Sequence, residues 1–153
     1  MSLAHEWSLL SKQQLGRYAE YLVKMELTLH GLDVYTAEVD DKGIDFIVRK
    51  DNQHYYDIQV KSSRNLTYVF MTKTKFKVSE NLFLALVLFE DFKPPALFLI
   101  PSGVWRSPNA LFVDRNFEGE GLKSLPEYGL NLSQRNLHLL EPYAFDRMVA
   151  QLK

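Results

Sequence analysis

The chain has no cysteine, only seven glycines and six prolines, and almost no net charge. Without thiols it can form neither a disulfide nor a thiolate metal centre. That is the usage expected of a protein kept in a reducing cytoplasm, which is the expected location. The four histidines, His5, His30, His54 and His138, are too scattered to point to an imidazole metal site. No apolar run approaches the ~20 residues that cross a bilayer, so no membrane partner is expected. The first residues lack the basic-then-apolar order of a signal peptide. A glycine-rich phosphate loop is missing too, because Gly119-Glu120-Gly121 follows no clear strand and carries an acid where a phosphate would sit. There is no internal repeat, low-complexity tract or linker, and 153 residues fit a single domain, 1–153. A chain of this length can bury about 68–70% of its unfolded surface.

What is present is an ordinary globular composition, 46% hydrophobic and 24% charged, with an uneven charge distribution. From Arg49 to Lys77 there are seven cations against two anions, Asp51 and Asp57. That segment is therefore +5, and because the whole chain is −1 the remainder is −6. Lysines on strand edges discourage aggregation. The same cations can also make a local phosphate-binding surface on a near-neutral protein.

Ser11-Lys12-Gln13-Gln14 has the Ser-x-x-Gln form of a capping box and predicts a helix start. Leu15, Tyr18, Ala19, Leu22, Met25 and Leu29 follow at helical spacing as the expected core stripe, and His30-Gly31 as the stop. Gly16, Glu20, Val23 and Leu27 form a second, weaker stripe, which places Glu20 at the edge of a semi-buried face. Leu32 to Tyr35 reads as a strand, Asp40 to Gly43 as a turn, and Ile44 to Val48 as a strand opened by Asp45. Asp51-Asn52-Gln53 is a second turn and Tyr55 to Lys61 the returning strand of a hairpin. Thr67 to Met71 is a further strand or a packed connector. The continuous apolar run Leu82 to Phe89 predicts a strand covered on both faces, followed by a second buried strand, Leu97 to Ile100. Residues 106–136 read as loop with a short strand near Tyr128 to Leu132, and Trp105 and Phe112 as core or an oligomer contact. Pro142 is expected to begin a closing helix with Phe145, Met148, Val149 and Leu152 on its apolar face. The fold class is α/β, a mixed central sheet flanked by helices.

Period-two alternation puts Asp57, Gln59 and Lys61 on one strand face, beside Asp45 on the partner strand. This pattern suits a divalent cation held against a phosphate. Asp45 and Glu20 can supply carboxylates, and Gln59 an amide oxygen. The Val60 carbonyl is a further hard oxygen, and Lys61 is a compact cation for a phosphate or an attacking water. Asp57 can add an oxygen or accept a hydrogen bond behind the first ligands. Ser62, Arg64, Lys73 and Lys75 are candidate phosphate contacts. Tyr55, Tyr56 and Tyr68 are assigned to packing before base stacking.

In order and context, Glu20, Gly43-Ile44-Asp45 and Gln59-Val60-Lys61 resemble the PD-(D/E)XK nuclease superfamily. Its core runs helix-strand-strand-strand and bears a helix acid, a second-strand acid, and an acid or glutamine followed by x-Lys. The Gln-x-Lys form is similar to that of Mrr-type restriction endonucleases, and the layout is similar to Holliday-junction-resolvase-like members. The resemblance covers about residues 11–100, leaving 101–153 as a C-terminal loop and helix. No proline precedes Asp45, and Gln59 stands where an acid is commoner, which removes one negative charge from the site. The resemblance implies a restriction endonuclease-like core and a Mg2+- or Mn2+-dependent DNA endonuclease, with Glu20, Asp45, Gln59 and Lys61 as the catalytic set and a homodimer as a possible assembly. The alternative is a catalytically inactive module of the same fold that binds DNA or a partner protein.

Overall fold

The computed structural model describes residues 5–39, 42–119, 121 and 123–152. The expected turn from Asp40 therefore lies in part outside the described residues, at Asp40 and Asp41. Helix α1, Lys12–Leu29, starts on the capping box foreseen for it: Ser11 Oγ accepts from the Gln14 N–H, and the Gln14 side chain accepts from the Ser11 N–H. A short 3-10 turn, Trp7–Leu9, precedes it. Five strands form the main sheet: β1 (Asp33–Thr36), β2 (Phe46–Arg49), β3 (Tyr55–Arg64), β5 (Leu82–Phe89) and β6 (Ala96–Pro101). The order is β1-β2-β3-β5-β6, and only the β3–β5 pair is parallel. The mixed sheet flanked by helices is thus present, and both helices cover the same face.

That face holds the first core. Leu15, Ala19, Val23 and Leu27 of α1 pack on Phe46, Val48, Ile58 and Ala85, joined by Phe145 and Val149 of α2 (Phe145–Ala150). The buried stripe of α1 is therefore a composite of the two foreseen. Tyr18, Met25 and Leu29, expected in the core, are 39%, 61% and 80% exposed. Residues spaced by four from Leu15 stay on one side of the helix, and that side meets the sheet.

The opposite face is covered by a second sheet, β4 (Val69–Thr72), β8 (Glu127–Leu130) and β7 (Phe112–Arg115), all antiparallel. The chain makes the parallel crossover from β3 to β5 through β4. Leu82, Leu84 and Leu86 face this sheet, while Phe83, Ala85 and Val87 face α1. The apolar run of β5 is thus buried on both sides, as its composition demands. Residues 106–136, read as loop with one short strand, contain two strands and the centre of the second core. Trp105, just before this segment, and Phe112 within it are buried in the second core, 1% and 2% exposed. Pro142 does not open a helix: it sits inside a 3-10 segment, Leu137–Tyr143, and α2 begins at Phe145. No described helix is long and apolar enough to cross a membrane.

Candidate active site

Regular β2–β3 pairing ends at Phe46 opposite Ile58. The next bond is displaced by one residue: the Asp45 N–H donates to the Ile58 carbonyl at 2.9 Å. The Val60 N–H then donates to Asp45 Oδ2 at 2.6 Å, so a carboxylate stands where a ladder carbonyl would be. A backbone donor on a carboxylate makes a short, strong bond and holds the side chain in one orientation. Asp45, Gln59, Val60 and Lys61 are thereby gathered at the end of the ladder.

Gly43 makes this turn possible. Its φ is +79°, and a Cβ built on it would lie 2.7 Å from Lys75 Cβ and 2.8 Å from the Lys75 carbonyl oxygen. The β4–β5 connector is thus seated directly on the turn that delivers Asp45. A Gly43→Ala variant combines a left-handed backbone penalty of about 1–2 kcal/mol with steric overlap. The expected loss of stability is about 2–4 kcal/mol, read from the urea midpoint. A shift below about 0.5 kcal/mol would show that the connector yields freely.

Lys61 is half-buried on β3. Burial lowers its pKa, the Asp45 carboxylate works in the opposite direction, and Lys12 at the start of α1 lowers it further. Asp57, two residues before Gln59 on the same face, has its carboxyl pKa raised by burial. Gln59 is buried, and its Oε1 makes no hydrogen bond among the described residues. A buried acceptor without a partner is unusual in a native fold and fits a site where an oxygen is kept for a ligand.

Glu20 is placed differently. Its side chain, 18% exposed, is engaged by Arg17 at 3.6 Å and Lys24 at 3.2 Å, both on its own helix. Lys24 in turn lies 5.4 Å from the centre of the Phe46 ring, one residue from Asp45. Among the described residues, no three Asp, Glu or His side chains come close enough to hold a metal ion by themselves. A site built here relies on Asp45, the Gln59 amide and main-chain oxygens. Mg2+ is commonly held by one or two carboxylates plus waters and substrate oxygens, and the donors at the end of β3 suit such an ion.

Beyond Ile58 the β2-side edge of β3 carries no paired strand among the described residues. A cleft of about 620 Å3 runs along it, bounded by the first turns of α1 and the chain after β3. Lys12, Lys61 and Arg64 line it together with Ser62, and no acid does. Lys75 lines a separate pocket beside Asp57. Lys73 is bound to Asp114 and Asn116 across β4 and β7. Tyr56 is buried against Phe83, and the Tyr68 hydroxyl donates to Glu127 at 2.6 Å. Lys12 was absent from the sequence-based set, since no spacing relates it to Lys61, which it meets only through folding.

No protein-family model matches the sequence, and no curated protein is similar to it in sequence. The fold is similar to that of a Holliday junction resolvase. That structure is the 1.6 Å Archaeoglobus fulgidus Hjc, from an archaeal hyperthermophile. The TM-score is 0.57 at 12% identity, with 88% of this chain and 95% of the Hjc chain covered. The likeness to Hjc is one of fold, and it extends past residue 100, the point where the sequence resemblance ends.

Proposed function

We propose that the protein is a metal-dependent DNA endonuclease that hydrolyses phosphodiester bonds in restriction, repair or recombination in the cytoplasm. The observation that carries this reading is the gathering of Asp45, Gln59 and Lys61 at the end of the β2–β3 ladder. The likeness of the fold to Hjc supports it. Asp45, Gln59 Oε1 and the Val60 carbonyl would hold Mg2+ or Mn2+. Such an ion, when bound, neutralises charge on a phosphate and generates hydroxide near neutral pH. Lys61 would hold the scissile phosphate or orient the attacking water. Asp57 would add an oxygen or accept a hydrogen bond behind these groups, and Glu20 would contribute only by exchanging Arg17 and Lys24 for the ion. Ser62 and Arg64 would carry backbone phosphates along the cationic cleft, with Lys75, and Lys73 where Asp114 releases it, on the other side. Cutting both strands of a duplex calls for two such sites, hence a homodimer.

Branched and linear DNA incubated with Mg2+ or Mn2+ tests the proposal. Asp45→Ala is expected to abolish cleavage of every form. Cleavage that survives this substitution refutes the assignment. The pairing of Glu20 with two helix cations favours a second reading, a module of this fold that binds DNA or a partner protein without cutting. A calorimetric Mn2+ titration bears on the choice: a site abolished by Asp45→Asn counts against the non-catalytic module.

A further inference from the structure

The sheet face that carries Asp57, Gln59 and Lys61 continues outward over β2 and β1, where, among the described residues, it is largely exposed. Cross-strand register places Asp33, Arg49 and Tyr55 in one row and Tyr35, Ile47 and Asp57 in the next, all on that face. Tyr35 and Tyr55 are 50% and 44% exposed. The Arg49 guanidinium lies between them, 5.9 Å from the Tyr35 ring centre and 4.8 Å from that of Tyr55. A bond of 3.0 Å from Arg49 to Asn52 Oδ1 holds it there. One row further in, Asp57 forms part of a pocket of about 730 Å3 whose wall also includes Lys42, Lys75 and Lys77.

Two aromatic rings and a guanidinium plane on a rigid strand surface make flat, low-entropy stacking partners. Three lysines a row away supply the charge that a phosphate backbone needs. Bases inside a duplex already stack on one another and offer no free faces, so the chemistry fits unpaired nucleotides. We propose that Tyr35, Arg49 and Tyr55 form a platform for unpaired bases, with their phosphates at Lys42, Lys75 and Lys77. The preferred substrate then carries a single-stranded segment beside the bond to be cut. That last step rests on the nuclease reading, whereas the binding itself does not.

Fluorescence anisotropy with labelled single strands and duplexes, in metal-free buffer containing a chelator, measures binding without cleavage. The Tyr35→Ala/Tyr55→Ala variant is expected to bind single strands at least about tenfold more weakly, the scale of a lost base–aromatic stack. Duplex affinity should change less than about twofold, since its contacts are to phosphates. The Tyr35→Phe/Tyr55→Phe variant should restore single-strand binding. DNA and RNA strands of one sequence show which nucleic acid is taken. Unchanged single-strand affinity in the alanine variant, or an equal loss on duplex, overturns the platform and leaves the tyrosines as cross-strand packing. If the alanine variant does not fold, photocrosslinking of bromouracil-substituted strands to the unmodified protein decides. Adducts on Tyr35 or Tyr55 support the platform, and adducts only elsewhere refute it. Failure of the nuclease reading shows separately, as metal-dependent cleavage indifferent to Asp45→Ala.

Discussion

Replacing Lys61 with alanine is expected to lower the rate of DNA cleavage about 10²–10³-fold, the usual cost of removing one group aimed at developing charge. The geometry explains why so much rests on one side chain. Lys61 is half-buried on β3, so water does not readily take its place. Its ammonium is near the Asp45 carboxylate, which the Val60 N–H holds in place. Lys61→Arg should not rescue the activity, because a planar fork does not reproduce a compact cation on this strand. Asp45→Ala combined with Lys61→Ala should lose no more than Asp45→Ala alone, as expected of groups acting as a unit. Single-turnover rates with Mg2+ measure these effects, and binding to the same DNA serves as the control. A Lys61→Ala rate within about threefold of the parent would remove Lys61 from the chemistry.

The largest expected loss of stability is at Trp105, about 3–5 kcal/mol on replacement by alanine. Its ring meets Phe76 and Phe112 edge to face, with centroids 5.4 and 5.3 Å away, and its Nε1 donates to the Gly129 carbonyl at 3.0 Å. The substitution leaves a cavity where β7, β8 and the β4–β5 connector meet, and removes the donor from a buried carbonyl. Phe76 belongs to the same connector as Lys75, which is seated on Gly43, so the site should loosen along with the core. Equilibrium urea unfolding reads the effect, and a loss below about 1 kcal/mol would mean that the second sheet contributes little to the folded state.

Much of the fold was legible wherever a local rule had only one solution. The capping box at Ser11 set the start of α1, and the unbroken apolar run of β5 required cover on both faces. The row Asp57-Gln59-Lys61 follows from strand alternation, whereas Asp45 reaches β3 through a bond displaced by one residue, from its N–H to the Ile58 carbonyl. Elsewhere the local rules had two solutions. Helix α1 is apolar on two sides, and nothing local says which side meets the sheet. Tyr18, Met25 and Leu29 were therefore assigned to a core they do not enter. Strands β4, β7 and β8 have four residues each. Two of them show in the sequence, near Thr67 to Met71 as strand or connector and near Tyr128 to Leu132, while β7 reads as loop, because it pairs with β8 further along the chain and no local pattern marks it.

The sequence by itself determined the mixed α/β architecture, the hairpin and the candidate residues at its end, because each depends on neighbours within a few positions. Only the tertiary structure decided how those residues are used. It tied Glu20 to Arg17 and Lys24, joined Lys73 to Asp114, brought Lys12 beside Lys61, and left Tyr35, Arg49 and Tyr55 open on one face. Charge pairing and exposure depend on distances in space, which chain spacing leaves open once the chain has folded back on itself.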